Sequence, residues 1–344
     1  MAQPRTPPDW HADWHADWHP GRLAARLPHL RRRALLTAAT RAFFTARGYA
    51  EVETPYAVRT PGEDVHLAAF ATERIAPDGA RERLFLHTSP EFAMKKLLAG
   101  GAGRIFQLAR VWRNREGSAL HAAEFTLLEW YHPGAGLEAL MEETEAYLRA
   151  VLPPVVARAG REIDLARCER LTVAEAFARH LGLDVLASAG DAPALAAAAG
   201  VGLRPGEGWE DLFFRLMLAH IEPHLGRDGP TFLTHWPAPL AALAARDPAD
   251  PRVALRFELY AGGLELANAF VELADPAEQR ARFEADRARR LALGGQGWPL
   301  DEALLAALEH GIGEVAGIAL GFDRLAMLAT GTSRIEEVLW LAPP

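Results

Sequence analysis

Three short stretches of this sequence place charge inside an otherwise apolar pattern. The first, QLARVWRNREGSALHAAEFTLLEWY at 107–131, carries Arg110, Arg113, Arg115, Glu116, Glu124 and Glu129. Its second half alternates like a strand, so Phe125, Leu127, Glu129 and Tyr131 share one face. A carboxylate on a buried face needs a positive partner, either Arg110 or Arg113 of the same hairpin or a cationic ligand. The second stretch is LELANAFVEL at 264–273. Asn268, Phe270 and Glu272 share one face there, and Glu265 joins them only through a bulge or the strand end. Converging carboxylates with an asparagine suit Mg2+ or an ammonium group; the alternative is a solvated strand face. The third is GIALGFDRL at 317–325. Gly321 bends the chain, Asp323 suits an N-cap, and Arg324 falls in the first turn of a helix, against the dipole. A cation so placed suits a phosphate chain; the alternative is a surface arginine paired with a carboxylate. Together these groups fit an ATP-dependent enzyme that activates an amine-bearing substrate. Neither GxxxxGK(S/T) nor GxGxxG after a strand occurs, so the P-loop and Rossmann solutions are absent.

The elements that must position these groups can be read from periodicity. A helix over 21–49 is predicted by Leu35, Leu36, Ala39, Phe43 and Phe44, with Arg47-Gly48 ending it. YAEVETPYAV then reads as a strand running into Pro55. RLFLHTSPEF reads as a strand and turn, with Ser89, Pro90 and Glu91 starting a helix. Residues 104–131 read as two antiparallel strands joined by a polar loop, followed by the helix LEALMEETEAYLRAVL. The stretch 160–227 is Ala-rich and reads as a mostly helical insertion. Strands return at PTFLTHWP and at RVALRFELYAGGLELANAFVEL, where Gly262 and Gly263 mark a hairpin turn. A long charged helix at 275–293, a loop and another helix at 300–310 precede a last strand and helix. Hairpins dominate over βαβ units, so the fold class is α+β, a mainly antiparallel sheet flanked by helices.

A chain of 344 residues can build one large domain with a substantial core. Its formal net charge of −8 argues against long nucleic acid held over the whole surface. With Cys168 its only cysteine, the chain has no intramolecular disulfide and no cysteine-rich zinc site, which fits a reducing cytoplasm. No segment is apolar for long enough to span a membrane, and the N-terminus has no signal-peptide core. DWHADWHADWHP at 9–20 repeats every four residues. On a helix His11, His15 and His19 would share a metal-binding face; the plainer reading is a low-complexity repeat stopped by Pro20, in a flexible tail covering 1–24.

These stretches resemble a known family. RVWRN with HAAEFTLLEWY is similar to motif 2 of the class II aminoacyl-tRNA synthetases of the lysine type, and GIALGFDRL to motif 3. The segment 31–55 resembles motif 1, which implies a homodimer interface. The resemblance covers about 25–340, so 25–344 is expected to be one class II catalytic domain. The short region ahead of it leaves no room for an anticodon-binding OB-fold. That truncation, GIALG in motif 3, and LLEWY resemble the synthetase paralogues that ligate (R)-β-lysine to translation elongation factor P. The resemblance implies ATP and Mg2+, (R)-β-lysine or lysine as amino acid, elongation factor P as acceptor, and no tRNA. It implies Arg113 on the α-phosphate, Arg324 on the γ-phosphate, Phe125 under adenine, and Gly321 leaving room for the nucleotide. Asn114, Arg115, Glu116, His121 and Leu266 would border ATP, and Glu265 with Glu272 would hold the metal. Ser89, Pro90, Glu91, Glu129, Tyr131, Asn268, Phe270 and Glu272 would line the amino-acid pocket. Two departures stand out: Arg115 occupies the place of a glutamate that reads adenine, with Glu116 next to it, and Ala122-Ala123 replaces Asn-Pro. Alternative readings are a lysine-type ligase acting on RNA or a small molecule, or a catalytically silent paralogue with a binding role.

Overall fold

The structure, a computed structural model, describes residues 17–241 and 243–343. His11 and His15 therefore lie outside the described residues. The chain opens with helix α1 (Pro20–Ala46), then β1 (Ala50–Glu51), β2 (Ala57–Val58), β3 (Ala71–Ile75), β4 (Arg81–Leu86) and α2 (Glu91–Ala99). The hairpin β5 (Ile105–Trp112) and β6 (Glu124–Pro133) follows, then α3 (Leu137–Val151), β7 (Val155–Arg158), β8 (Arg161–Asp164) and β9 (Glu169–Thr172). Next come α4 (Val173–Leu181), α5 (Ala192–Ala199), α6 (Trp209–Leu216), β10 (Thr231–Pro237), β11 (Val253–Ala261) and β12 (Leu264–Val271). The chain closes with α7 (Pro276–Ala292), α8 (Glu302–His310), β13 (Val315–Gly321) and α9 (Phe322–Thr330).

Eight strands form the main sheet, in the order β1-β5-β6-β13-β12-β11-β10-β9. Only the outer pairs β1–β5 and β9–β10 are parallel. This is the α+β arrangement that the hairpins predict. Gly262 and Gly263 both have positive φ (61° and 71°), which the two-residue β11–β12 turn requires and glycine adopts without strain. No helix among the described residues is long and apolar enough to cross a membrane.

The two faces of the sheet have different jobs. Alternate residues Phe106, Leu128, Trp130, Ile318, Leu320, Ala267 and Ala269 are buried against α1, α3 and α9. Phe44 of α1 stacks on Phe106 at 4.9 Å. The other face carries the polar residues and, on β13, Val315 followed by Gly317, Ala319 and Gly321. Small residues at that central strand leave a groove over the middle of the sheet.

Several expectations change. Pro20 opens α1, with His19 Nδ1 accepting from the Gly21 N–H (3.3 Å), so residues 20–24 are the first turn of a helix. YAEVETPYAV forms only β1 and β2, two residues each. Within 160–227 two short strands, β8 and β9, precede the helices, and Phe177, Trp209 and Phe213 build a second apolar cluster reaching Leu233, Trp236 and Tyr260 of the sheet. Four-residue strands in an Ala-rich stretch give too little alternation to read. Asp323 is not an N-cap: Gly321 holds that position, and Asp323 is buried in an ion pair with Arg33 of α1. Its carboxylate also accepts from the Thr126 N–H (2.7 Å), so it joins α1, β6 and α9.

Candidate active site

Strand register assembles the groove from distant segments. Paired residues of neighbouring strands face the same way. One row across the sheet is therefore Gln107, Glu129, Ala319, Asn268 and Glu258. The next is Ile105, Tyr131, Gly317, Phe270 and Arg256. Leu259 pairs with Ala267 but Tyr260 with Glu265, so Leu266 is an extra residue in β12. That bulge is the device that Glu265 needs to reach the face of Asn268 and Phe270. Leu266 itself, expected beside the nucleotide, is buried in the core.

Ser89, Glu91, Arg113, Glu129, Tyr131, Asn268, Phe270 and Glu272 line one cavity of about 360 Å³. Ser89 and Pro90 form the turn ahead of α2: Ser89 Oγ accepts from the Glu91 N–H (3.0 Å) and donates to Glu129 Oε1 (2.5 Å). Tyr131 donates its hydroxyl to Glu129 Oε2 (3.3 Å). Glu129 is 1 % exposed and forms no ion pair among the described residues. Burial first, and then the Glu91 charge, push its carboxyl up to about 8. The ion pair with Arg110 or Arg113 is therefore not made. Arg110 bonds Glu124 (2.6 Å) and Thr126 instead, and Arg113 acts on Glu129 only from a distance.

Glu272 is held differently. Lys95, 2 % exposed, places Nζ 2.5 Å from Glu272 Oε2 and 2.7 Å from Glu91 Oε1. Burial alone would lower the Lys95 pKa; Glu272 and Glu91 together overcome this and raise it. At these distances the group stands as an ion-paired triad. Glu265 on β12 and Glu272 just past its end lie seven positions apart, about 23 Å at ~3.3 Å per residue. A single ion cannot touch both, so Glu272 is not a metal ligand with Glu265.

A second group gathers where the motif 2 loop meets α9. Arg324 donates Nη1 to the Glu265 carbonyl (2.8 Å) and lies 3.5 Å from its carboxylate. It also donates Nη2 to His121 Nε2. A guanidinium has no acceptor, so His121 carries its proton on Nδ1 and donates it to Ser118 Oγ (2.9 Å). Burial and the Arg324 charge lower the His121 pKa, which agrees with a neutral ring. Arg113 forms no ion pair among the described residues; its guanidinium lies over the Phe125 ring at 5.1 Å, with Nε 3.4 Å from the Thr88 carbonyl. Asn114 uses Oδ1 to accept from the Arg115 N–H (2.8 Å), which shapes the loop. Arg115 has φ 67° and is exposed, whereas Glu116 is half-buried and feels Arg113, Arg324 and Glu265. The left-handed turn at Arg115 thus sends that side chain outward and the next one toward the site.

Sequence reading missed three residues. Lys95 sits four positions after Glu91, a helical pairing hidden in an ordinary amphipathic helix. Arg256 donates to Asn268 Oδ1 (3.1 Å) and Glu258 Oε1 (2.6 Å) while lying over Trp236. With Oδ1 so engaged, Asn268 presents its NH2 to the cavity. Glu258 also accepts from Tyr260 (2.6 Å). Burial pushes Glu258 up to about 7, Arg256 opposes this, and the Glu265 charge adds to it. Two carboxylates that repel each other suit a shared divalent cation. No cluster of three or more His, Cys, Asp or Glu ligands occurs among the described residues, so such an ion would complete its shell with phosphate and water. The alternating parity of Glu258 and Tyr260 in RFELY was the available signal.

The cavity is also lined by Asp64, Asp286 and Glu210, the last paired with Arg289. Burial, then Asp64, push Asp286 up to about 6. A cavity with this surplus of carboxylates favours cationic ligands.

An open antiparallel sheet, a groove over its centre and two arginines at the loop–helix junction define a nucleotide-dependent ligase scaffold. The family model for class II tRNA synthetases (D, K and N) matches residues 23–342, and the chain belongs to that family. Among curated relatives, proteins named elongation factor P–(R)-β-lysine ligase are similar over nearly their whole length. The Vibrio cholerae protein is 45 % identical over 318 residues, 91 % of this chain and 95 % of that protein. Those of Klebsiella pneumoniae and Pectobacterium carotovorum are 43 % and 44 % identical over 321 residues, 92 % of this chain and 95 % of each.

Proposed function

We propose that this chain activates (R)-β-lysine, or lysine, with ATP and transfers the acyl group to a lysine ε-amino group of elongation factor P. The observation that carries the reading is Glu129, a buried carboxylate bonded only to hydroxyls, next to the Glu91–Lys95–Glu272 triad. Such a pocket gains most from an ammonium ligand and leaves it unpaired if the ligand is neutral. The relatives' name supplies the substrate and acceptor.

In the first step a substrate carboxylate oxygen attacks the α-phosphorus of ATP, the bond to the bridging oxygen breaks, and pyrophosphate leaves. Arg113, which forms no ion pair among the described residues and lines the cavity, neutralises charge on the α-phosphate; Arg324, braced by Glu265 and His121, holds the outer phosphates. Asn268 donates its NH2 to the substrate carboxylate and Glu129 takes an ammonium. Phe125 gives a face for the base, and Glu116 takes the part of the adenine-reading glutamate. Glu265 with Glu258 would hold Mg2+, which would supply charge neutralisation for the phosphates. In the second step the deprotonated acceptor amine attacks the acyl carbonyl and AMP leaves. We place this activity in the cytoplasm, on a homodimer formed around 31–55. Exposed Leu35, Trp340 and Leu341 support such an interface. The amino-acid pocket and the absence of basic surplus support a protein acceptor over tRNA.

The test is transfer of labelled β-lysine or lysine, with ATP, to elongation factor P and in parallel to tRNA. Label on elongation factor P is expected; label on tRNA alone overturns the reading. A second prediction concerns Gly317. A Cβ there would lie 2.5 Å from Glu272 Oε1 and 2.5 Å from Tyr131 Cε1. Neither neighbour can yield, because Lys95 pins one and the core encloses the other. Gly317→Ala should raise the amino-acid KM at least 30-fold in pyrophosphate exchange and leave the ATP KM within threefold, at about 1–3 kcal/mol of stability from overpacking.

A further inference from the structure

The triad at the closed end of the cavity has a feature that substrate contacts alone leave unexplained. Three carboxylates, Glu91, Glu129 and Glu272, line a pocket for an amine, yet two of them already share an ammonium of the protein. Lys95 takes one oxygen from each: Oε1 of Glu91 and Oε2 of Glu272. Oε1 of Glu272 is buried without a hydrogen-bond partner and lies over the Cα of Gly317, on the groove side of the sheet. The charged groups that meet Lys95 Nζ are Glu91 on its own helix and Glu272 after β12; Glu129 and Tyr131 on β6 face Glu91 in turn, and Tyr131 also faces Glu272. Phe270 presents its ring 5.5 Å from Nζ. Its neighbour Lys96 is turned away, paired with Asp301 (2.5 Å).

We infer that Lys95 is a positioning residue that sets the charge of the amino-acid pocket, so that three carboxylates and one internal ammonium match a substrate with two ammonium groups. With Glu129 ionised to meet an ammonium, Glu91, Glu129, Glu272 and Lys95 together carry two unbalanced negative charges. A diamino acid neutralises both; an amino acid with one ammonium leaves one carboxylate uncompensated. Lys95 also turns Glu91 and Glu272 so that each keeps an oxygen for the ligand. Without Lys95 two carboxylates within contact of one point would face each other in a buried site, and one must take up a proton to persist. Binding of the substrate then has to expel that proton.

This inference rests on the proposed amino-acid activation. The test uses Lys95→Met in the full-length protein. Amino-acid-dependent pyrophosphate exchange should show a KM for lysine or β-lysine raised at least 100-fold, with the ATP KM within threefold. Calorimetry in two buffers of different ionisation enthalpy should count about one more proton released per amino acid bound than in the unsubstituted protein. The double variant Lys95→Met/Glu91→Gln restores the charge balance, should return the proton count to that of the unsubstituted protein, and serves if the single variant does not fold. A Lys95→Met protein with unchanged proton count and amino-acid KM within threefold overturns the inference. So does a double variant that still releases the extra proton. Absence of exchange by the unsubstituted protein with either amino acid would instead reject the activation reading itself.

Discussion

Arg113→Met should reduce kcat for amino-acid activation about 10^3-fold while the protein keeps its thermal stability. The loss follows from position. Arg113 is the strand-end arginine whose terminal nitrogens have no carboxylate partner among the described residues, so its charge is left for a ligand. Removing one preorganised donor from a developing anion typically costs ~10^2–10^3-fold, and a full guanidinium charge belongs at the upper end. Stability should hold because no buried carboxylate loses its partner. Arg33 is the contrast: it balances buried Asp323, and its loss would leave that charge alone. Arg113→Lys should recover little, since a point charge cannot reproduce the planar fork. Single-turnover adenylate formation with saturating lysine measures the effect; a kcat within tenfold of the unsubstituted protein would remove Arg113 from phosphate contact.

Glu129→Gln should lower affinity for the amino acid by 100-fold or more and make the protein more stable at alkaline pH. Both effects have one origin. The folded Glu129 carboxyl titrates at about 8, against 4.5 when unperturbed. Its folded form thus holds a proton that the unfolded chain releases, and stability falls as pH rises from about 4.5 to about 8. At ~1.4 kcal/mol per pH unit, this caps the loss at about 5 kcal/mol. Glutamine keeps the contacts with Ser89 and Tyr131 without that loss. For substrate the sign reverses. An ammonium needs the carboxylate, so the amino-acid KM should fall up to tenfold per unit as pH rises toward 8, and Glu129→Gln should flatten that dependence. Thermal unfolding at pH 5 and pH 8, with exchange kinetics over the same range, tests both. If Glu129→Gln melts no higher than the unsubstituted protein at pH 8, Glu129 is not held at a cost to the fold.

Much of this arrangement is legible in the sequence because strand parity is local. Glu129 with Tyr131, and Asn268 with Phe270, could be placed on one face from alternation alone, and the bulge Glu265 requires is present at Leu266. Residues fixed by partners far along the chain were not legible. Asp323 looks like a cap until Arg33, 290 positions away, is seen beside it. Lys95 looks like one of two surface lysines in MKK until Glu272 closes over it. Arg115 was recognisable as a departure, but only its left-handed backbone explains how Glu116 turns inward. Pairing across a sheet is a property of register, and register between distant strands leaves no mark in a local pattern.

The strand that carries Gly317, Ala319 and Gly321 lies between β6 and β12, yet it is the last strand to be synthesised. Until it inserts, the sheet is two separate halves, each with an open edge of unpaired N–H and C=O groups. Glu129 then belongs to one half and Asn268 to the other. No growing chain can bind the amino acid before β13 has left the ribosome. The half-sheets must wait as sticky, non-local intermediates, the kind of folding that is slow and prone to aggregation. A C-terminal truncation that stops short of β13 would therefore produce an insoluble chain, not a weakened enzyme.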